Sequence, residues 1–245
     1  MASTPALVDQ LLSQLKGAPA EVALFLDFDG VLAPIVDRPE DAYPPAETRA
    51  ELERLVGLYG LVAVVSGRAG DDVRDRVAVD GIVYVGSHGL ELDRQADRWR
   101  QQIADFASAA PWPASEIELK GLTVTFHYRH HKDERAAVLE LEALAQAARD
   151  EGLVARFGRK LLEVLPPVGS NKGTAVLHLL EGAGLTRVLI AGDDTTDLDA
   201  FRAVEDLEHK VRVAVLAEES PRLLAEHAEL VLGSTGEFLE LLRRL

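Results

Sequence analysis

Asp27 and Asp29 flank a single phenylalanine directly after the unbroken apolar run Val22 to Leu26, and Gly30 follows them. Two carboxylates at this spacing can divide the work of group transfer. One attacks an electrophile, and the other gives a proton to the leaving group and later takes one from water. Asp193 and Asp194 stand in a matching place after the run Val188 to Ala191, and Ser66 stands after Leu61 to Val65. Three or four carboxylates cannot share one site ionised without a cation. Oxygen ligands of this kind select Mg²⁺, completed by water and substrate phosphate oxygens. Ser66 offers a hydroxyl to a phosphoryl oxygen. Lys172, after Gly169-Ser170-Asn171, brings a positive charge to a helix start, where the dipole also favours anions. Phosphoryl transfer needs little more than such positioning and charge neutralisation.

These residues are far apart in sequence, so the elements around them must bring them together. A continuous apolar run suits a strand buried on both faces, as in a parallel sheet. Strands at Val22 to Leu26, Leu61 to Val65, Ile82 to Val85, Val188 to Ala191, Val211 to Leu216 and Leu230 to Leu232 alternate with helical patterns. That rhythm predicts an α/β fold, a doubly wound parallel sheet whose ligand site lies beyond the carboxyl ends of its strands. On period-two alternation, Asp27 and Asp29 should point to the same side. A first helix is expected from a Thr4-Pro5 cap to Gly17.

The stretch 92–166 breaks the rhythm. Leu122, Val124, Phe126 and Tyr128 alternate with Thr123, Thr125, His127 and Arg129, giving a strand with one covered and one wet face. A helix is expected at Ala136 to Ala148 and further strand at Ala155 to Leu165. The apolar parity switches at Gly121, so a bulge or break there would place Glu118 and Lys120 on the same wet face. The expected division is a core of 1–91 and 167–245 with an inserted α+β domain at 92–166.

The 245 residues carry 41 acids against 26 bases, a net charge of −15. That disfavours nucleic acid or an anionic membrane as partner. There is no cysteine, so disulfides and thiolate zinc sites are excluded, and no run reaches membrane-span length. A cytoplasmic, monomeric protein acting on a small molecule is the expectation. No Walker A loop and no G-x-S-x-G elbow is present. His130-His131 beside His127 lacks the spaced ligands of a metal site and reads as a surface turn.

Asp27-Phe28-Asp29-Gly30-Val31, Ser66, Lys172 and Gly192-Asp193-Asp194-Thr195-Thr196-Asp197 resemble the four motifs of the haloacid dehalogenase (HAD) superfamily of phosphotransferases. The finer resemblance is to the trehalose-6-phosphate phosphatases. It rests on Leu26 to Gly30 with Leu32-Ala33-Pro34-Ile35, on Val65-Ser66-Gly67-Arg68, on Gly86-Ser87-His88-Gly89-Leu90-Glu91, on Asn171-Lys172-Gly173, and on Gly192 to Asp197 followed by Phe201. The resemblance implies a Rossmann-like core with a cap closing over a sugar. It implies Asp27 as nucleophile and magnesium ligand, and Asp29 as acid/base, giving its backbone carbonyl to the metal. Ser66 and Lys172 would hold the phosphoryl group. Asp193 would be the third metal ligand, supported by Asp194 and Asp197. Arg68, Asn171, Glu118, Lys120 and Glu163 would contact substrate. Phosphatases of other sugar phosphates, such as sucrose phosphate or mannosyl-phosphoglycerate, and a phosphomutase remain the alternatives.

Overall fold

The computed structural model describes residues 5–36, 38–158, 160–217 and 221–245. Thr4, the expected cap of the first helix, lies outside them. The chain forms two compact units, Met1–Gly89 with Ser170–Leu245, and Leu90–Gly169.

The first unit opens with α1 (Pro5–Lys16), β1 (Val22–Leu26), α2 (Ala46–Val56), β2 (Leu61–Val65), α3 (Gly70–Val77) and β3 (Val83–Val85). The second contains α4 (Arg100–Ala109), β4 (Ile117–Leu119), β5 (Val124–His127), α5 (Glu134–Asp150), β6 (Val154–Gly158) and β7 (Leu161–Leu165). The chain then completes the first unit with α6 (Lys172–Ala183), β8 (Arg187–Gly192), α7 (Asp197–Ala203), β9 (His209–Val215), α8 (Arg222–Glu226), β10 (Leu230–Leu232) and α9 (Thr235–Arg243).

In the first unit six parallel strands lie in the order β10-β9-β8-β1-β2-β3. Every residue of β1 is buried. Its alternate side chains feed two cores. Val22, Leu24 and Leu26 pack with α1, α2 and α9, and Ala23 and Phe25 pack with α6 and α7. The apolar run is therefore continuous because both faces of the sheet are covered. The chain winds outward from β1 through β2 to β3, and returns at β8, on the other side of β1. This reversal makes the β8–β1 boundary a switch point, where doubly wound sheets leave a crevice.

The second unit is a four-stranded antiparallel sheet, β4-β5-β7-β6, with one face packed on α4 and α5. Asp133 caps α5, its side chain accepting from the backbone N–H of Arg135 and Ala136 at 3.1 Å each. The expected break at Gly121 takes the form of a chain reversal rather than a bulge. Gly121 has φ +80°, and Leu122 N–H donates to the Lys120 carbonyl at 3.0 Å. The left-handed backbone that glycine allows turns β4 back onto β5. The expected strand at 155–165 is a hairpin of β6 and β7, with Lys160 at φ +57° beside the reversal. Helix α4 was absent from the sequence expectation.

Candidate active site

Asp27 is the first residue beyond β1, and its N–H still donates to the Ala191 carbonyl of β8 at 3.0 Å. The sheet ladder thus holds the backbone of this carboxylate. Its Oδ1 accepts from Phe28 N–H at 2.7 Å, and its Oδ2 lies 2.8 Å from Lys172 Nζ. Lys172 opens α6, whose start is set by a reciprocal cap. The Asn171 side chain accepts from Thr174 N–H at 3.0 Å, and Asn171 N–H donates to Thr174 Oγ1 at 2.9 Å. Lys172 is 3% exposed and donates a second bond to Asp197 Oδ1 at 2.7 Å. The other oxygen of Asp197 accepts from the N–H groups of Asp193 and Asp194 at 3.0 and 3.1 Å. Asp197 therefore ties the loop after β8 to the lysine at the head of α6. Asp194 accepts from Thr195 N–H at 2.6 Å and stiffens the same loop.

Gly30 stands at φ +76°, and a Cβ there would lie 2.3 Å from Asp193 Oδ2. A glycine is thus required both by the backbone and by the close approach of Asp193.

Asp27, Asp193 and Asp197 each bring a carboxylate oxygen within 4.8 Å of the others, the group among the described residues that could hold a metal ion. Burial pushes Asp27 up to about 7, with Lys172 opposing and Asp197 adding to the rise. Burial pushes Asp193 up to about 9, reinforced by Asp27 and Asp197. Burial opposes the Lys172 charge, but Asp197 and Asp27 outweigh it and hold the ammonium well above its usual range. One lysine does not balance three carboxylates. An oxygen-only set with surplus negative charge fits a hard dication such as Mg²⁺.

The side chain of Asp29 takes other partners than Asp27, although its charge still adds to the rise of Asp27. The strand stops at Leu26 and the chain turns. Leu32 and Ala33 N–H both donate to the Phe28 carbonyl at 3.0 and 2.9 Å. Period-two alternation ends with the strand, so the two carboxylates take different partners. Asp29 faces Arg68, with Nε to Oδ2 at 2.7 Å and Nη2 to Oδ1 at 2.8 Å. Arg68, expected as a substrate contact, is committed to Asp29, to Asp72 and to the Pro39 carbonyl. Asn171, expected in the same role, has its side chain in the helix cap. Ser66 is 1% exposed at the end of β2, its Oγ accepting from Arg68 N–H at 3.2 Å.

In the second unit, Glu118, Thr125, Glu163 and Arg156 stand directly opposite one another across four strands. They form one row on the face away from α4 and α5. Glu118 Oε2 lies 3.0 Å from His127 Nε2 and 3.5 Å from Lys120 Nζ. Glu163 is 9% exposed. Pairing register thus gathers Glu118 and Glu163 onto one sheet face, and Lys120, just beyond β4, joins them through Glu118. The parity that places His127 on the same face as Thr125 in the sequence brings it to Glu118. The Arg68–Asp29 pair carried no local signal, since the partners are separated by a helix and a strand.

The profile of the trehalose-phosphatase family matches residues 25–224. The trehalose-phosphate phosphatase of Mycobacterium avium (strain 104) is 35% identical over 242 residues, covering 84% of this chain and 61% of that protein. The chain thus spans 61% of the length of the first curated relatives it matches. Among solved structures, the C-terminal domain of C. albicans trehalose-6-phosphate phosphatase superposes with a TM-score of 0.75 at 21% identity, covering 98% of this chain and 96% of that one. A haloacid dehalogenase-like hydrolase from Bacteroides thetaiotaomicron gives 0.63 at 15% identity, covering 91% and 99%. At these identities the two structures speak for the fold, which is HAD-like.

Proposed function

Because the chain belongs to the trehalose-phosphatase family, we propose that it hydrolyses trehalose 6-phosphate to trehalose and phosphate, using Asp27 as nucleophile and Mg²⁺ as cofactor. One observation carries the reading: Asp27, Asp193 and Asp197 converge on Lys172 at the carboxyl ends of adjacent strands β1 and β8. The activity for which the M. avium relative is named supports the sugar.

Asp27 attacks phosphorus, the bond from phosphorus to the sugar oxygen breaks, and Asp29 gives that oxygen its proton. Asp29 then takes a proton from water as the water oxygen attacks the aspartyl-phosphate. The Asp27–phosphorus bond breaks and phosphate leaves, which restores the Asp27 carboxylate and the protonated Asp29. Lys172 and Ser66 hold the phosphoryl oxygens. Asp27, Asp193 and the Asp29 carbonyl would hold Mg²⁺, with Asp194 and Asp197 supporting Asp193, and the ion would neutralise the clustered charge. The antiparallel-sheet unit serves as a cap, with Glu118, Lys120 and Glu163 contacting the sugar hydroxyls. We place the reaction in the cytoplasm and take the working form as a monomer.

Phosphate release and product identity, measured on a panel of sugar phosphates with Mg²⁺, test this. The expected result is preference for trehalose 6-phosphate, with free trehalose as second product. A kcat/KM about tenfold higher on sucrose phosphate or mannosyl-phosphoglycerate, a gap of about 1.4 kcal/mol in transition-state binding, would overturn the substrate. Return of the phosphoryl group to another sugar position would overturn hydrolysis.

A further inference from the structure

The turn after β3 contains Gly86-Ser87-His88-Gly89, which the proposed chemistry leaves without a role. Its backbone is unusual. Ser87, His88 and Gly89 have φ of +50°, +56° and +98° in succession. Residues with a Cβ avoid this region because it meets the following carbonyl oxygen. Consecutive cases persist only where the surroundings impose them, and they gather at functional sites.

The surroundings here are the segment Ser66–Arg68. Ser66 N–H donates to the Val85 carbonyl at 2.9 Å, His88 N–H donates to the Ser66 carbonyl at 2.8 Å, and Ser87 N–H donates to the Arg68 carbonyl at 2.7 Å. The left-handed backbone turns the successive N–H groups of Ser87 and His88 onto that segment. The His88 ring lies against Gly67, where a Cβ would stand 2.5 Å from Cε1 and 2.8 Å from Nε2. On its other side the turn meets the head of α6. A Cβ on Gly89 would lie 2.7 Å from the Asn171 carbonyl oxygen and 2.9 Å from Ala175 Cβ. One short turn therefore abuts both the segment that carries Ser66 and the helix start that carries Lys172.

We propose that His88 is a positioning residue: the left-handed turn Ser87–Gly89 and the His88 ring brace the Ser66–Arg68 segment, so that the Ser66 hydroxyl meets the transferring phosphoryl group in one fixed orientation. The inference rests on the reading of Ser66 as a phosphoryl contact. A ring seated on a glycine leaves the segment no room to slide. Small misplacements of a positioning group lower turnover disproportionately, because the reacting geometry is narrow.

The test is a double-mutant cycle between His88→Gly and Ser66→Ala in the Mg²⁺-loaded enzyme, with kcat/KM for trehalose 6-phosphate as readout. Glycine adopts the left-handed backbone freely, so His88→Gly keeps the turn and removes the ring. The expected loss is about tenfold in the otherwise wild-type enzyme. In the Ser66→Ala background it should shrink to about twofold or less, because the brace acts through that hydroxyl. Equal losses in both backgrounds would make the ring a general structural element and overturn the proposal. Ser66→Ala with near wild-type activity would overturn the reading of Ser66, and the brace with it, a pattern distinct from the first.

A second pair checks the contact. Gly67→Ala should lower kcat/KM by about tenfold or more. Adding His88→Gly to Gly67→Ala should restore activity to the level of His88→Gly alone, since the atom that a Cβ strikes is gone. Independent, multiplying losses would overturn the contact as the means of positioning.

Discussion

Arg68 grips the carboxylate of Asp29 through two parallel bonds, Nε to Oδ2 at 2.7 Å and Nη2 to Oδ1 at 2.8 Å. Its other contacts are Asp72 Oδ2 at 3.3 Å, the Pro39 carbonyl at 3.0 Å, and the Phe28 ring, 5.2 Å from the guanidinium carbon. Only arginine offers this planar fork. The pair fixes the direction of the residue assigned to proton transfer. Arg68→Lys keeps the charge and loses the fork, so kcat should fall by about tenfold with KM nearly unchanged. Steady-state kinetics decide it. A raised KM with unchanged kcat would make Arg68 a substrate contact instead.

Asp27→Asn should abolish turnover while the fold stands. The amide oxygen can still accept from Phe28 N–H, and Lys172 keeps Asp197, but the amide cannot form an acyl phosphate. Acid quenching during turnover should trap protein-bound phosphate in the wild type and none in the variant. Retention of more than about a tenth of wild-type kcat would sink the covalent route, since acid–base effects alone are worth about 10².

Burial raises Asp27 to about 7 and Asp193 to about 9 in the folded protein, from the ordinary aspartate value of 3.8. Between those limits the folded protein holds protons that the unfolded chain has released. The stability that these two carboxyls contribute, fully present below the unfolded value, is lost as pH rises through 7 and then 9. In chelator, Tm should therefore fall from pH 6 to pH 9. Each proton retained over one pH unit is worth up to about 1.4 kcal/mol, or about 2–4 °C for a chain of this size. Mg²⁺ offsets the carboxylate charges, so its gain in Tm should be larger at pH 9 than at pH 6. A Tm in chelator that is flat or rising across this range would refute the crowded-carboxylate account. Activity should return with Mg²⁺ and poorly with Ca²⁺, which favours more ligands and looser geometry.

Glu118→Ala, Lys120→Ala and Glu163→Ala should separate recognition from chemistry. Losing a hydrogen bond to a charged group costs about 1.5–3 kcal/mol, roughly ten- to more than hundredfold in kcat/KM for trehalose 6-phosphate. A small aryl phosphate has no sugar for these groups to hold, so its hydrolysis should stay within about threefold. Since Lys120 sits 3.5 Å from Glu118, their double variant should lose less than the product of the single losses. Parallel losses on both substrates would make the three residues structural.

Much of the core was legible because its determinants are local. The apolar runs at Val22–Leu26 and Leu61–Val65 end where the strands end, since burial on both faces leaves no polar position inside them. The capping pair at Asn171 and Thr174 likewise lies within a few residues of chain. The antiparallel unit was harder to read. Gly121 marked a discontinuity, but a bulge and a reversal share the same parity switch, and only pairing of β4 with β5 separates them. Helix α4 has no side-chain cap to mark its start, and its contacts with β4 and β5 help define it.

Taken alone, the sequence determined which residues hold chemical potential and that each acidic or hydroxyl cluster follows a buried strand. It also determined that the charge balance calls for a cation. The tertiary structure decided the partners. Strand order places β8, β1 and β2 side by side, so that Asp193, Asp27 and Ser66 emerge along one edge. The turn after Leu26 sends Asp29 to Arg68 while Asp27 meets Lys172, and Asp197 joins the carboxylates as well as the lysine. Side-chain pairing across such distances depends on where strands and helices stop to within a residue. Those endpoints follow from packing and backbone hydrogen bonding summed over the whole unit, which no local pattern encodes.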